Sequence, residues 1–203
     1  MSTRGHIYLK LKDESKGQVV KFKVTKLAGS YYKNKKNLLF PIHDLEIPKQ
    51  AQYMCIYNHF DSYVNGGLGE TLLNNYGTYD KVLNLLTMGN MHSVNQNGDT
   101  DSYQGHNGLV SPTRFISDET LIRKSKRNEK GELEYYNEPF LREGDIPTEN
   151  ALCEDYAYYF DGETWYVTHC YWDEHTEKCV QSGWLKLADV VASIKAGKMQ
   201  EWN

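Results

Sequence analysis

Apolar and polar positions alternate from the start of the chain: Ile7, Leu9 and Leu11 are apolar, with His6, Tyr8 and Lys10 between them. Side chains alternate across a strand, so Gly5 to Lys12 is predicted as a half-buried strand, with Arg4 on the polar face beside His6 and Tyr8. Lys16-Gly17 reads as a turn. Val19 to Leu27, where Val20, Phe22 and Val24 alternate with lysines, reads as the returning strand of a hairpin. Gly29 to Gln50 is basic and polar and holds Pro41 and Pro48, the pattern of a long loop or insertion.

Strand periodicity resumes over Ala51 to Tyr63. Met54, Ile56 and Phe60 would face one side, and Tyr53, Cys55, Tyr57, His59, Asp61 and Tyr63 the other. Asn65-Gly66-Gly67-Leu68-Gly69 is a glycine turn. A helix is expected from Gly69 or Glu70, with Leu72, Leu73 and Tyr76 along one side and Gly77 interrupting it. Thr78 suits the N-cap of a second helix that carries Val82, Leu83 and Leu86 inward and stops at Gly89. Asn90 to Gly108 is a polar excursion, Ser111 to Arg127 leaves room for a short helix after Pro112, and Glu143 to Asn150 is loop.

The last third is more sharply patterned. Tyr156 to Phe160, the turn Asp161-Gly162 and Glu163 to Trp172 predict a hairpin. Leu187, Val190, Val191 and Ile194 at i, i+3, i+4 and i+7 predict a final helix over Leu187 to Lys195, with Gly197 as its stop. The expectation is one α+β domain over 1–203, with polar insertions near 29–50 and 90–150. Its sheet is largely antiparallel, with a central helical segment after the glycine turn and a helix at the C-terminal end.

Charge and composition narrow the partners. A net charge of −4 argues against bulk binding of nucleic acid, and the basic run Arg123 to Arg127 is followed at once by Glu129, Glu132 and Glu134, as in a solvated loop or hairpin. No apolar run approaches a membrane span and the first residues lack a signal-peptide core, so the expected compartment is the cytoplasm, with reduced cysteines. The 16 tyrosines against 6 phenylalanines suit half-buried strands and binding surfaces alike.

The segment from Tyr57 to Glu70 holds the densest candidate chemistry. Glycines let a backbone turn with positive φ, and amides at a helix start attract anions. His59 and Asp61, two residues apart on a strand, would share a face beside that turn, and a carboxylate can orient an imidazole. Arg4 and His6 on an adjoining strand would add positive charge. The candidate ligand-binding set is Arg4, His6, Tyr57, Asn58, His59, Asp61, Tyr63, Gly66, Gly67 and Gly69. No Lys-Ser/Thr follows the turn, so a Walker loop is absent, and Asp61 could equally serve only the turn's own backbone.

His169, Cys170, His175 and Cys179 invite a zinc reading, but their spacing matches no standard knuckle and adjacent strand residues point to opposite faces. Cys55 would lie about 13 Å from His59 along an extended strand, too far for direct proton transfer. Neither a metal nor a cofactor is expected.

Thr3-Arg4-Gly5, Tyr57-Asn58-His59-Phe60-Asp61-Ser62-Tyr63 with Gly67-Leu68-Gly69, and Tyr158-Tyr159-Phe160-Asp161-Gly162-Glu163-Thr164-Trp165 together resemble a family of small phage and bacterial proteins. Val64 stands where that family has proline, and this chain has one extra glycine. The likeness covers about a third of the chain. It implies a shared site and a phage or mobile-element setting, and brings no established activity. With the residues themselves, it leads to an expected accessory protein, acting in the host cytoplasm, that binds a small anionic, nucleotide-like molecule and sequesters it from host defence signalling. A hydrolase using His59 and Asp61 as an acid/base pair, and a protein-interaction module, stand as alternatives. Assembly of the chain into a homo-oligomer is left open.

Overall fold

The computed structural model describes residues 3–22, 43–102, 114–116, 121–127, 133–139, 142–143, 146–147, 155–173, 175 and 178–202. Strand β1 (Gly5–Lys10) is a central strand of the main sheet: it runs antiparallel to β4 (Tyr53–Asn58) on one side and parallel to β12 (Tyr156–Phe160) on the other. The expected hairpin partner lies elsewhere. Strand β2 (Val19–Phe22) pairs with β3 (His43–Glu46) in a separate two-stranded ribbon, so part of the expected 29–50 loop is a strand. A hairpin was the economical reading of two neighbouring strands, but β1 is buried on both faces and takes its partners from more distant chain.

Helices α1 (Leu68–Asn75) and α2 (Tyr79–Thr87) carry the chain from β4 to β5 (Met91–Val94), which therefore joins β4 in parallel. Strand β6 (Thr100–Ser102) returns antiparallel to β5, so the expected polar excursion at 90–108 begins as a hairpin at the sheet edge; residues 103–108 lie outside the described set. Short strand β7 (Arg114–Ile116) pairs with β4, and β8 (Leu121–Arg127) with β9 (Leu133–Pro139), where a helix after Pro112 was expected. The basic run is thus one arm of a hairpin. Within the expected 143–150 loop, β10 (Arg142–Glu143) pairs with β11 (Ile146–Pro147).

The C-terminal third follows its pattern closely. Strands β12 and β13 (Trp165–Asp173) form the expected hairpin, and Asp161 Oδ1 accepts the amides of Glu163 and Thr164 to fix the turn, while Gly162 supplies φ 114°. Strands β14 (Lys178–Gln181) and β15 (Leu185–Lys186) both pair with β13, and α3 (Leu187–Lys195) follows. The described main sheet runs β14-β13-β12-β1-β4-β5-β6, with β7 and β15 added to β4 and β13. It is mixed and mostly antiparallel, an α+β fold closed by a C-terminal helix. Among the described residues no helix is long and apolar enough to cross a membrane.

Both faces of the central strands are buried, by different chemistry. One face (Ile7, Leu9, Met54, Ile56, Phe160, Val167) packs under the helices through Leu68, Leu72, Val82, Leu85, Leu86, Leu187, Val190 and Val191. Each such aliphatic side chain contributes about 1.5–3 kcal/mol on leaving water. The opposite face, read as polar from its alternation, is a second core of Tyr8, Tyr53, Cys55, Ala157 and Tyr159, flanked by Tyr166 and Trp184. Tyrosine accounts for the difference: its ring packs as an apolar body although its tip is polar.

Candidate functional site

Strand β4 ends at Asn58, so the alternation expected through Tyr63 stops before His59. Asp61 takes the left-handed backbone (φ 57°), which aspartate tolerates better than most residues, and the chain folds back over the end of β1. His59 and Asp61 therefore do not share a strand face. The hydrogen bond at His59 Nδ1 is with the Tyr57 hydroxyl, at 2.8 Å. Cys55 is fully buried in the second core.

The fold-back is held by a buried clasp. Asn58 Nδ2 donates to Ser62 Oγ (2.8 Å) and to the Phe60 carbonyl (2.6 Å), and the Tyr158 hydroxyl donates to the Ser62 carbonyl (2.7 Å). The Ser62 amide donates to the Thr3 carbonyl, and the Arg4 amide to Asp155 Oδ2. Ser62 sits where a side chain on residue 5 would be: a Cβ at Gly5 would lie 2.9 Å from Ser62 Cβ. The three segments that carry the family resemblance thus meet in one knot, and burial pushes the Tyr158 hydroxyl well above its ordinary pKa.

Next comes the glycine turn. Val64 and Asn65 amides both donate to Glu201 Oε1 (2.6 and 2.9 Å), and the Gly66 amide donates to Glu70 Oε2 (2.5 Å). The amides of Leu68, Gly69 and Glu70 donate to the carbonyls of Asp61, Tyr63 and Val64. Successive amides converging on carboxylates make an anion-binding concavity, and the chain fills it with carboxylates of its own. A hydrogen bond from Lys195 holds Glu70 below the usual carboxylate range, against the raising effect of burial; the Gly66 amide adds to the lowering. Gly67 and Gly69 serve packing: a Cβ on Gly67 would lie 2.5 Å from the Tyr63 carbonyl oxygen, and one on Gly69 2.8 Å from that of Val64. Tyr63 itself packs partly buried against the helix-side core.

Glu201 is delivered by the segment after α3. The neighbouring Trp202 ring stacks on His169 (centroids 5.5 Å apart, planes 5° apart), and its carbonyl accepts the Tyr156 hydroxyl at 2.6 Å. Burial lowers the His169 pKa and Asp155 opposes that shift. His169, whose grouping with Cys170, His175 and Cys179 was not expected to bind zinc, is one ring in an aromatic stack; the side chains of Cys170 and Cys179 lie outside the described set. Among the described residues no three His, Cys, Asp or Glu side chains converge as metal ligands.

What the clasp and the turn do not use is a rim of rings beyond the end of β4. Phe60 is 41% exposed, its plane is within 14° of the His92 ring at 6.1 Å, and His59 meets it edge-on at 4.3 Å. Tyr57 adjoins His59 and, at 5.5 Å, the buried His6. The Asp61 side chain is exposed, and Arg4, also exposed, stands one residue beyond the Gly5–Asn58 pair. Of the sequence-selected residues, the structure brings Tyr57, His59 and His6 together, leaves Arg4 and Asp61 at the surface, and puts Asn58, Tyr63, Gly66, Gly67 and Gly69 into scaffolding. Phe60, His92, Ser62 and Glu201 were not selected as site residues; Phe60 was expected to face the same side as Met54 and Ile56, but the strand ends at Asn58 and leaves its ring exposed. His92 and Glu201 lie 33 and 142 positions from His59 in no motif of their own, so only the fold assembles them. No family model, curated protein or solved structure matches this chain.

Proposed function

We propose that the rim at the end of β4 binds a small anionic, nucleotide-like molecule. In the setting implied by the phage-family resemblance, the protein would sequester that molecule from host defence signalling. The observation that carries this reading is the exposed Phe60 ring set against His59 and His92, in a segment where Asn58 and Ser62 on either side are committed to packing. A large aromatic side chain left in water beside imidazoles gives a face for a planar ring and donors for an anion, and Arg4 adds a fixed positive charge nearby. The amides of the glycine turn are not needed for it, since the chain's own carboxylates and carbonyls take those of residues 64–66 and 68–70.

Native mass spectrometry of the protein purified from cells, followed by release and identification of bound small molecules, tests the reading. A bound anion recovered from the wild type and lost from His59→Ala and Phe60→Ala, with melting curves unchanged, supports it. Equal recovery from folded variants would move the ligand elsewhere. In place of the expected His59–Asp61 pair, the hydrolase alternative would draw on the Tyr57–His59 hydrogen bond, a hydroxyl–imidazole pair suited to acid/base chemistry. Recovery of a cleaved product instead of an intact ligand would select it.

A further inference from the structure

Two Asn-Gly pairs lie within the described residues, and their surroundings differ. Such pairs are chemically labile because the glycine nitrogen, unshielded by a side chain, can attack the preceding carboxamide. At Asn97-Gly98 the carboxamide is held at both ends: Nδ2 donates to Asp99 Oδ2 (3.0 Å) and Oδ1 accepts the Asp99 amide (3.3 Å). The Gly98 nitrogen is engaged with the Asn95 carbonyl at 2.7 Å. At Asn65-Gly66 the half-exposed carboxamide makes no hydrogen bond among the described residues, since only the Asn65 backbone amide is engaged, by Glu201. Around Gly66 there is space, with only Gln96 Nε2 within 4 Å of where a Cβ would stand, and the Gly66 N–H is already directed at Glu70 Oε2.

We propose that Asn65 is a self-modification site, deamidating through a succinimide formed with Gly66, and that the change loosens the glycine turn. The Gly66 nitrogen attacks Asn65 Cγ and forms the C–N bond of the ring. The amide proton passes by way of Glu70 to the departing nitrogen, which leaves as ammonia. Water then opens the succinimide at either carbonyl, giving aspartate or isoaspartate at 65. No redox partner is required. Either product puts a new carboxylate beside those of Glu201 and Glu70, where like charge is unfavourable. Isoaspartate also lengthens the main chain between residues 65 and 66 by one carbon, so the amides of 64, 65 and 66 no longer converge on their carboxylates. The segment carrying Glu201 and Trp202 would then lose its hold on the turn that abuts the ring rim.

The full-length protein, aged in mildly alkaline buffer at physiological temperature, is digested and mapped by mass spectrometry, with fragmentation that separates aspartate from isoaspartate. The expected result is a gain of one dalton at residue 65 ahead of any gain at residue 97 in the same molecules, with both isomers present. An intact Asn65, or modification at Asn97 first, would overturn the assignment. Asn65→Asp tests the consequence apart from the rate: its melting temperature should fall below that of wild type, while Asn65→Ser, which adds no charge, should not fall as far. Equal melting temperatures for the two variants would overturn the loosening.

Discussion

Residues 57–69 divide into two sets with opposite fates. Asn58, Ser62, Val64, Gly67 and Gly69 are buried and committed, each by a hydrogen bond or by a contact too close for any larger side chain. His59, Phe60 and Asp61, lying between them, reach the surface; Phe60 and Asp61 are exposed and His59 partly so. A motif of this density reads as a single site in sequence, whereas the fold separates a clasp from what the clasp presents. The lesson is that the glycines and asparagine hold a short loop in a fixed place, and the three residues between them are the ones that reach the surface.

If the comparison is right, changing the clasp costs stability and changing the rim does not. The largest effect is expected from Gly67→Ala, whose new methyl would meet the carbonyl oxygens of Tyr63 and Asp61, at 2.5 and 2.7 Å. Overpacking of this kind costs about 3 kcal/mol. Gly77→Ala is the control, because its nearest neighbour would be the Leu73 carbonyl at 3.9 Å, an ordinary contact. Urea unfolding of both variants measures the difference, and equal midpoints would mean that the turn is not closely packed.

A step down are the hydrogen bonds of the clasp. Ser62→Ala removes one of the two acceptors of Asn58 Nδ2, and Tyr158→Phe leaves the Ser62 carbonyl without its buried donor. Each should lower stability by about 1–2 kcal/mol. The two sites share Ser62, so a double-mutant cycle should show them coupled. Additive losses would indicate two independent contacts instead of one knot.

Smaller again is the expected effect on stability of the rim. Phe60→Ala and His59→Ala should stay within roughly 0.5 kcal/mol of wild type, as surface substitutions do, while abolishing recovery of any bound molecule. Asp61 is better replaced by asparagine, which also tolerates the left-handed backbone, than by alanine. A marked loss of stability in Phe60→Ala would place that ring in the clasp and leave the proposed site without its central element.

Much of this fold was legible in the sequence where local signals decide the outcome. The final helix, the Asp161-Gly162 hairpin and the helix stop at Gly89 (φ 78°) came from periodicity and from residues suited to caps and turns. The parallel partner of β1, β12, was not legible, because strand pairing over a hundred or more residues leaves no local trace. The second core was hidden by tyrosine, which scores as polar and packs as apolar. Asn58, Gly67 and Gly69 were singled out by pattern as ligand-binding and lie in the scaffold, because pattern does not distinguish an amide that waits for an anion from one already bonded to Glu201. Nothing near the glycine turn foretells a carboxylate from residue 201.

The smallest expected effect is on the far side of that contact and depends on pH. His169 stacks with Trp202 and with Tyr171, with Tyr156 at 5.2 Å, and Asp155 is the charged group acting on it. Burial favours its neutral form and Asp155 only partly offsets this, so the pKa in the folded protein lies below the ordinary 6.5 of the unfolded chain. A base with a depressed folded pKa contributes stability in full above the unfolded value and loses it as pH falls through the folded one. The melting temperature should therefore decline as pH drops below about 6.5, before the Glu70 carboxylate, whose pKa is lowered beneath 4.5, begins to take up its proton. His169→Phe keeps a flat ring against Trp202 and removes the titration, so its melting temperature should stay flatter across the upper window and then fall with wild type in the lower one. Parallel curves for the two proteins throughout would mean that His169 takes up its proton at no cost to the stack.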